Sequence, residues 1–270
     1  MNLIKFFVVF GLLAYVVAAL GMYVFQRKLQ YHAENKGLTP ESVGIMGATV
    51  ETLTTPDGEK IIIWYAPAAE GKPTILYFHG NAGEIGDRPL RFNYYHSRGF
   101  GVAYVSYRGY GGSTGSPTEQ GLITDATAAY DWLMGKGVAP QSIALLGESL
   151  GSGVAIQIAA KKQVGAVALN APYTSTADIA ARIYWWLPVN LLMKDQFRSI
   201  DFIAKVKAPL LVVHGGQDIL IPVEFGKKLF AAANEPKELE VVQGFGHEAI
   251  FEEPAWAREV EFFVRVMNRE

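Results

Sequence analysis

The sequence predicts an α/β fold: a mostly parallel eight-stranded sheet with helices on both faces and a short helical cap, preceded by one N-terminal transmembrane helix. Three observations predict it. Eight short runs of strand character alternate with helix-length segments, and strands that are apolar throughout mark a parallel sheet covered on both sides. The motif Gly147-Glu148-Ser149-Leu150-Gly151 sits between an apolar run and a run of small and apolar residues. Residues 6–25 form a 20-residue stretch with no charged group.

Taken in order, the uncharged stretch comes first. At 1.5 Å per residue it reaches about 30 Å, the hydrocarbon thickness of a bilayer. A cleaved signal peptide is the rival reading. Its apolar region usually runs to about 7–15 residues and ends at small residues, whereas this one continues through Met22, Tyr23, Val24 and Phe25. Residues 1–27 are therefore expected to be an uncleaved, single-pass membrane anchor. Lys5 and the terminal amine precede the span; Arg27, Lys28 and Lys36 follow it. That small excess leans toward a cytoplasmic catalytic domain. Residues 28–47 read as a polar connector, and the domain proper is expected over 48–270.

Residues 50–54 and 60–65 read as a hairpin turned at Pro56-Asp57-Gly58. Further strands are expected at 74–78, 102–106, 143–146, 166–169, 210–213 and 239–242. Helices are expected at about 88–97, 118–135, 151–162, 223–233 and 254–268. Residues 173–206 interrupt the alternation and are too long for an ordinary loop, so a helical insertion is expected there. Its position matches that of a cap over a pocket.

Composition removes several function classes. A hydrophobic fraction of 50% excludes a disordered chain. A net charge of -2 gives no electrostatic case for nucleic acid. The chain has no cysteine, which rules out disulfides, thiol catalysis and cysteine-bound zinc. Its five histidines lack metal-binding spacing, so neither a metal nor a cofactor is expected.

The chemistry centres on Ser149. A serine on a sharp strand-to-helix turn is held in a strained conformation with its hydroxyl exposed to substrate, and the flanking glycines permit the close packing. The hydroxyl needs a base, and the base needs an orienting carboxylate. Asp218 follows the 210–213 strand in a loop, and His247 follows the last strand in another. Strand ends are where α/β sheets place their sites. The order Ser149, Asp218, His247 is the order such a nucleophile elbow requires. His79 is the alternative base, but it precedes the nucleophile, and a bracing role for its ring is the other reading. An oxyanion needs two donors. The Leu150 N–H is one. The second lies in His79-Gly80-Asn81-Ala82-Gly83, where Asn81 is the candidate and Ala82 its rival.

Tyr77-Phe78-His79-Gly80-Asn81-Ala82-Gly83, Tyr107-Arg108-Gly109-Tyr110-Gly111-Gly112-Ser113, the serine motif and Val213-His214-Gly215-Gly216-Gln217-Asp218 with Ile221-Pro222 resemble the α/β-hydrolase serine hydrolases. More closely, the chain is similar to the membrane-anchored branch related to eukaryotic protein depalmitoylases and lysophospholipases. The resemblance spans about residues 48–268. It departs from the depalmitoylases in having no cysteine cluster for lipidation and a spanning helix instead.

What the resemblance implies is hydrolysis of a carboxylic ester or thioester of a small-molecule or lipid-like acyl substrate. A serine peptidase or amidase, and a non-catalytic binding protein on the same scaffold, are the alternatives. Trp185, Trp186 and Leu187 lie in the insertion and are the candidate acyl-binding residues. The same stretch also fits a bilayer-touching surface or the packed underside of a cap. Arg108 reads either as an anion ligand or as a tie to Glu84 or Asp125.

Overall fold

The computed structural model describes residues 3–267. The terminal amine and the last residue of the expected 254–268 helix lie outside the described residues. The main sheet contains β1 (Thr49–Thr54), β2 (Lys60–Ala66), β3 (Thr74–Phe78), β4 (Gly101–Ser106), β5 (Ile143–Glu148), β6 (Ala166–Asn170), β7 (Leu210–Gly215) and β8 (Lys237–Val242). The helices are α1 (Leu3–Gln30), α2 (Pro89–His96), α3 (Glu119–Gly135), α4 (Leu150–Ala159), α5 (Thr176–Ile183), α6 (Val189–Leu192), α7 (Val223–Ala232) and α8 (Glu253–Met267).

In space the strands run β8-β7-β6-β5-β3-β4-β2-β1. The hairpin β1–β2 and the pair β2–β4 are antiparallel; all other pairs are parallel. Alternation along β3 shows how both faces are filled. Leu76 and Phe78 join a core with Ile123, Val154 and Ile156 on one side. Ile75 and Tyr77 join another with Phe92, Phe262 and Phe263. A strand buried on both faces needs apolar residues at successive positions, which is why these strands are legible as unbroken runs.

Helix starts follow local chemistry. Thr118 caps α3 by accepting a hydrogen bond from the Gly121 N–H, and Ser175 caps α5 through the Asp178 N–H. The insertion folds as α5, α6 and two 3₁₀ turns, as its length led us to expect. Helix α1 is long and apolar enough to cross a membrane. It continues three residues beyond the expected anchor, to Gln30, so the connector begins later than the composition suggested. The two-residue segment His32–Ala33 then pairs in parallel with Ala82–Gly83, which ties the end of α1 to the loop after β3.

Candidate active site

Ser149 stands between β5 and α4 at φ 50 and ψ -116. A non-glycine residue in that region costs about 1–3 kcal/mol, and its surroundings must hold it there. They do so through backbone bonds. The Ser149 N–H donates to the Asn170 carbonyl at 2.9 Å, and the Ser149 carbonyl accepts from the Ser152 N–H and hydroxyl at 2.9 and 2.7 Å. The motif glycines are needed because the turn is so tight. A Cβ on Gly151 would lie 2.0 Å from the Phe78 carbonyl oxygen, and one on Gly147 would lie 2.5 Å from the Gly151 carbonyl oxygen.

Asp218 and His247 come together from the loops after β7 and β8. His247 Nδ1 donates to Asp218 Oδ2 at 2.7 Å. A carboxylate can only accept, so Nδ1 is the donor in this contact and Nε2 is the ring nitrogen left free of it. The other carboxylate oxygen accepts from the Leu220 and Ile221 N–H groups at 2.9 and 2.8 Å. Burial alone would raise the Asp218 carboxyl, but His214 and His247 outweigh it and hold the group well below the usual carboxylate range. No hydrogen bond joins the Ser149 hydroxyl to His247 among the described residues. In unliganded sites such contacts are often long and tighten with substrate.

His214 was not singled out by the sequence. It lies four residues before Asp218, with Nε2 3.6 Å from Asp218 Oδ2 and 2.7 Å from the Ile221 carbonyl oxygen that it donates to. It therefore fixes both ends of the Asp218 turn. The only available signal was its position at the end of β7, one turn ahead of the aspartate.

Asn81 and Leu150 both border the same cavity as Ser149, whereas Ala82 does not. The Asn81 side chain donates to the Gln30 carbonyl at 3.0 Å, and its carbonyl accepts from the His32 N–H and the Tyr110 hydroxyl at 2.9 Å each. Its own N–H takes no partner among the described residues.

Glu148, the residue just before the serine, anchors this loop to the elbow. Its carboxylate accepts from Arg88 at 2.8 Å, from Arg91 at 3.2 Å and from the Tyr77 hydroxyl. Arg88 also donates to the Ala82 and Glu84 carbonyls. Arg91 continues to Glu259 at 2.9 Å. The motif itself assigns Glu148 no role. Only the buried arginines on the far side reveal its role.

His79 is fully buried and packs against Tyr107 and Tyr110, with ring centroids 4.4 and 4.8 Å away. Its Nδ1 donates to the Gly80 carbonyl at 2.7 Å, a geometry that braces the loop. Burial, and then the Arg88 charge, push its imidazole down to about 3. Between that value and the ordinary ~6.5 the unfolded chain takes up a proton that the native state refuses. This contribution to stability is complete above about pH 6.5 and declines as pH falls toward 3. The melting temperature of wild type should therefore drop more between pH 7 and 5 than that of His79→Asn. Equal drops would show that His79 carries no such linkage.

Arg108 forks between two carboxylates, reaching Asp125 at 2.7 Å and Asp57 at 2.7 Å, not Glu84. Its guanidinium is spent on tying the β4 loop to α3 and to the hairpin turn.

The cavity has a volume of about 290 Å³. Ser149, Leu150 and Asn81 border it, and the insertion contributes Ile179, Ala180, Ile183, Leu187, Val189 and Leu192. Of the three candidate acyl-binding residues, Leu187 lines it. The structure corrects the placement of the other two. Trp185 is 81% exposed, and Trp186 packs its ring edge-on against Tyr15 at 6.0 Å. Neither borders the cavity, because the turn before Pro188 points this part of the cap outward, away from Ser149. Leu220 and Ile221 border the cavity from the Asp218 turn, and another wall is α1 itself, through Met22, Tyr23, Gln26, Leu29 and Gln30. The sequence reading had assigned most of that segment to an anchor separate from the site.

A serine on a strained β5–α4 elbow and a histidine–aspartate pair from the loops after β7 and β8, in this strand order, define a class. The chain belongs to the α/β-hydrolase family of serine hydrolases. Residues 23–197 match the family described as X-Pro dipeptidyl-peptidase (S15 family). Among curated relatives, an uncharacterised protein of Mycobacterium tuberculosis, Rv2307c, is 40% identical over 245 residues, 88% of this chain and 87% of the relative. The lysophosphatidylserine lipase ABHD12 of Danio rerio is 28% identical over 268 residues, 87% of this chain and 70% of the relative. Among solved structures, the Pyrococcus furiosus esterase Pf2001 aligns with a TM-score of 0.73 at 22% identity, covering 88% of this chain and 100% of that one. At that identity it speaks for the fold.

Proposed function

We propose that this protein is a membrane-anchored serine hydrolase that cleaves carboxylic ester or thioester bonds of acyl-chain substrates. The observation that carries the reading is the His247–Asp218 bond at 2.7 Å, set on strand ends next to an apolar cavity that Ser149 borders. Residues 1–27 hold the chain in the bilayer. Ser149 Oγ attacks the acyl carbonyl while His247 Nε2 takes its proton. Asp218 keeps the imidazole in the required tautomer and stabilises the imidazolium. The Leu150 and Asn81 N–H groups receive the oxyanion. The leaving alcohol or thiol departs with the proton from His247, and water, activated by the same base, releases the acid from the acyl-enzyme.

Two features favour a lipid-like acyl group. The cavity is lined largely by apolar side chains, among them Ile179, Ile183, Leu187 and Leu192 of the cap and Met22 and Leu29 of α1, and one relative bears the name lysophosphatidylserine lipase. A dipeptidyl peptidase is the second reading, from the family match. It fits less well, because no carboxylate borders the cavity among the described residues to receive a peptide's charged amino terminus.

The direct test is labelling with a fluorophosphonate probe. Wild type should be labelled, and Ser149→Ala should not. Labelling that survives in the variant would mean another nucleophile. The acyl preference is tested separately. Each buried CH₂ is worth up to about 0.8 kcal/mol, nearly fourfold in kcat/KM. Medium-chain p-nitrophenyl esters should therefore exceed acetate. Ala180→Phe, which fills part of the cavity, should lower the octanoate-to-acetate ratio by about tenfold. An unchanged ratio would place the acyl chain elsewhere. Turnover of acyl amides or dipeptide amides alone would favour the peptidase.

A further inference from the structure

Helix α1 meets the cap along one face. Tyr15, Ala19, Met22, Gln26 and Gln30 recur at three- and four-residue spacing, the period of a single helix stripe. Gln30 donates to the Asp195 carbonyl at 3.0 Å, and Arg27 pairs with the Asp195 carboxylate at 2.7 Å. Gln26 donates to the Leu192 carbonyl at 3.2 Å and accepts from the Lys194 N–H at 2.6 Å. Further up, the Tyr15 hydroxyl donates to the Trp186 carbonyl at 3.2 Å. From Gln30 to Tyr15 the cap therefore follows α1 for about 22 Å at 1.5 Å per residue.

The position of Tyr15 is the informative one. It lies midway along the uncharged segment 6–25, while the polar contacts at Gln26, Arg27 and Gln30 fall just past its end. If that segment occupies the hydrocarbon, a cap residue bonded at Tyr15 lies deep within it as well. The cap is built for that position. Residues 183–193 carry no charge. Their outward face presents Trp185 and Leu191, which are 81% and 85% exposed. An uncovered apolar face continuous with a spanning helix fits lipid better than water.

We propose that the cap segment 183–193 is embedded in the bilayer beside α1, reaching about the middle of the span. The cavity between them then opens into hydrocarbon, and an acyl chain reaches Ser149 sideways from the lipid without crossing water. This rests on α1 being the membrane span, so the experiment probes the two separately.

The cysteine-free chain allows single nitroxide labels on the full-length protein in phosphatidylcholine vesicles. Labels at Trp185→Cys and Leu191→Cys report the cap, Val17→Cys reports α1, and Glu70→Cys is the aqueous control. Both cap labels should relax more with oxygen than with a water-soluble nickel chelate, as Val17→Cys does, while Glu70→Cys does the reverse. Nickel accessibility at either cap position, with Val17→Cys still in lipid, would overturn the embedded cap and leave the anchor standing. Nickel accessibility at Val17→Cys would overturn the anchor and the cap inference together.

Discussion

Ser149→Ala lowers kcat on any acyl ester by about 10⁴–10⁶-fold, and adding His247→Ala to it lowers kcat no further. In the proposed mechanism the two side chains act as a unit. Without the hydroxyl there is nothing for the imidazole to activate, and without the base the hydroxyl stays a poor nucleophile. His247→Ala alone should fall in the same range. The melting temperature of Ser149→Ala should stay close to wild type, because the Ser149 hydroxyl makes no hydrogen bond among the described residues, whereas His247→Ala also takes a partner from the buried Asp218 carboxylate. Steady-state rates of the two single variants and the double variant are the measurement. Losses that multiply would mean that the residues serve independent steps; retained activity in Ser149→Ala would end the proposed mechanism.

Glu148→Ala destabilises the protein by about 3–5 kcal/mol, the usual cost of leaving a buried partner charge uncompensated. In a chain of this size that corresponds to a fall in melting temperature on the order of 10 °C. Burial would raise the Glu148 carboxyl, but the charges of Arg88 and Arg91 outweigh it and hold it down to about 2. Its contribution is therefore present above the ordinary glutamate value of about 4.3 and is lost as pH falls toward 2. Thermal unfolding of wild type, Glu148→Ala and Glu148→Gln at neutral pH measures the effect. Glu148→Gln keeps acceptor capacity for Arg88 and should lie between the other two. A Glu148→Ala protein as stable as wild type would show that the two arginines find other partners.

The central strands β3 to β7 were legible because burial on both faces forces continuous apolar runs. Ser149, Asp218 and His247 could be proposed from the sequence because each follows a strand end, in the order the resemblance implies; the structure pairs His247 with Asp218 and sets Ser149 on the β5–α4 turn. What stayed hidden has a common cause: it depends on which residues meet across the chain. Helix α1 is apolar on every side, so nothing in residues 6–25 marks the side that faces the cap. The visible hint was Gln26 and Gln30, two amides spaced by one turn at the end of an otherwise apolar helix. Trp185 and Trp186 were assigned to the site by proximity in sequence, and the turn before Pro188 points that stretch outward. His214 and Glu148 read as ordinary strand-end residues until the Ile221 carbonyl and the arginines of the α2 region are seen beside them.

Helix α1 supplies one wall of the cavity, and so it is not interchangeable with another hydrophobic helix. If residues 6–25 span the bilayer as proposed, a chimaera carrying a foreign span ahead of His32 would still reach it, yet the cavity beside Ser149 would be missing a side. Under the proposed reading, sequence drift at Met22, Tyr23, Gln26, Leu29 or Gln30 would alter the shape of the cavity, while drift away from the cavity and the cap would alter only the fit to lipid. On that reading the same 28-residue helix would carry two kinds of constraint, one for residence and one for selectivity, separable by which face is changed.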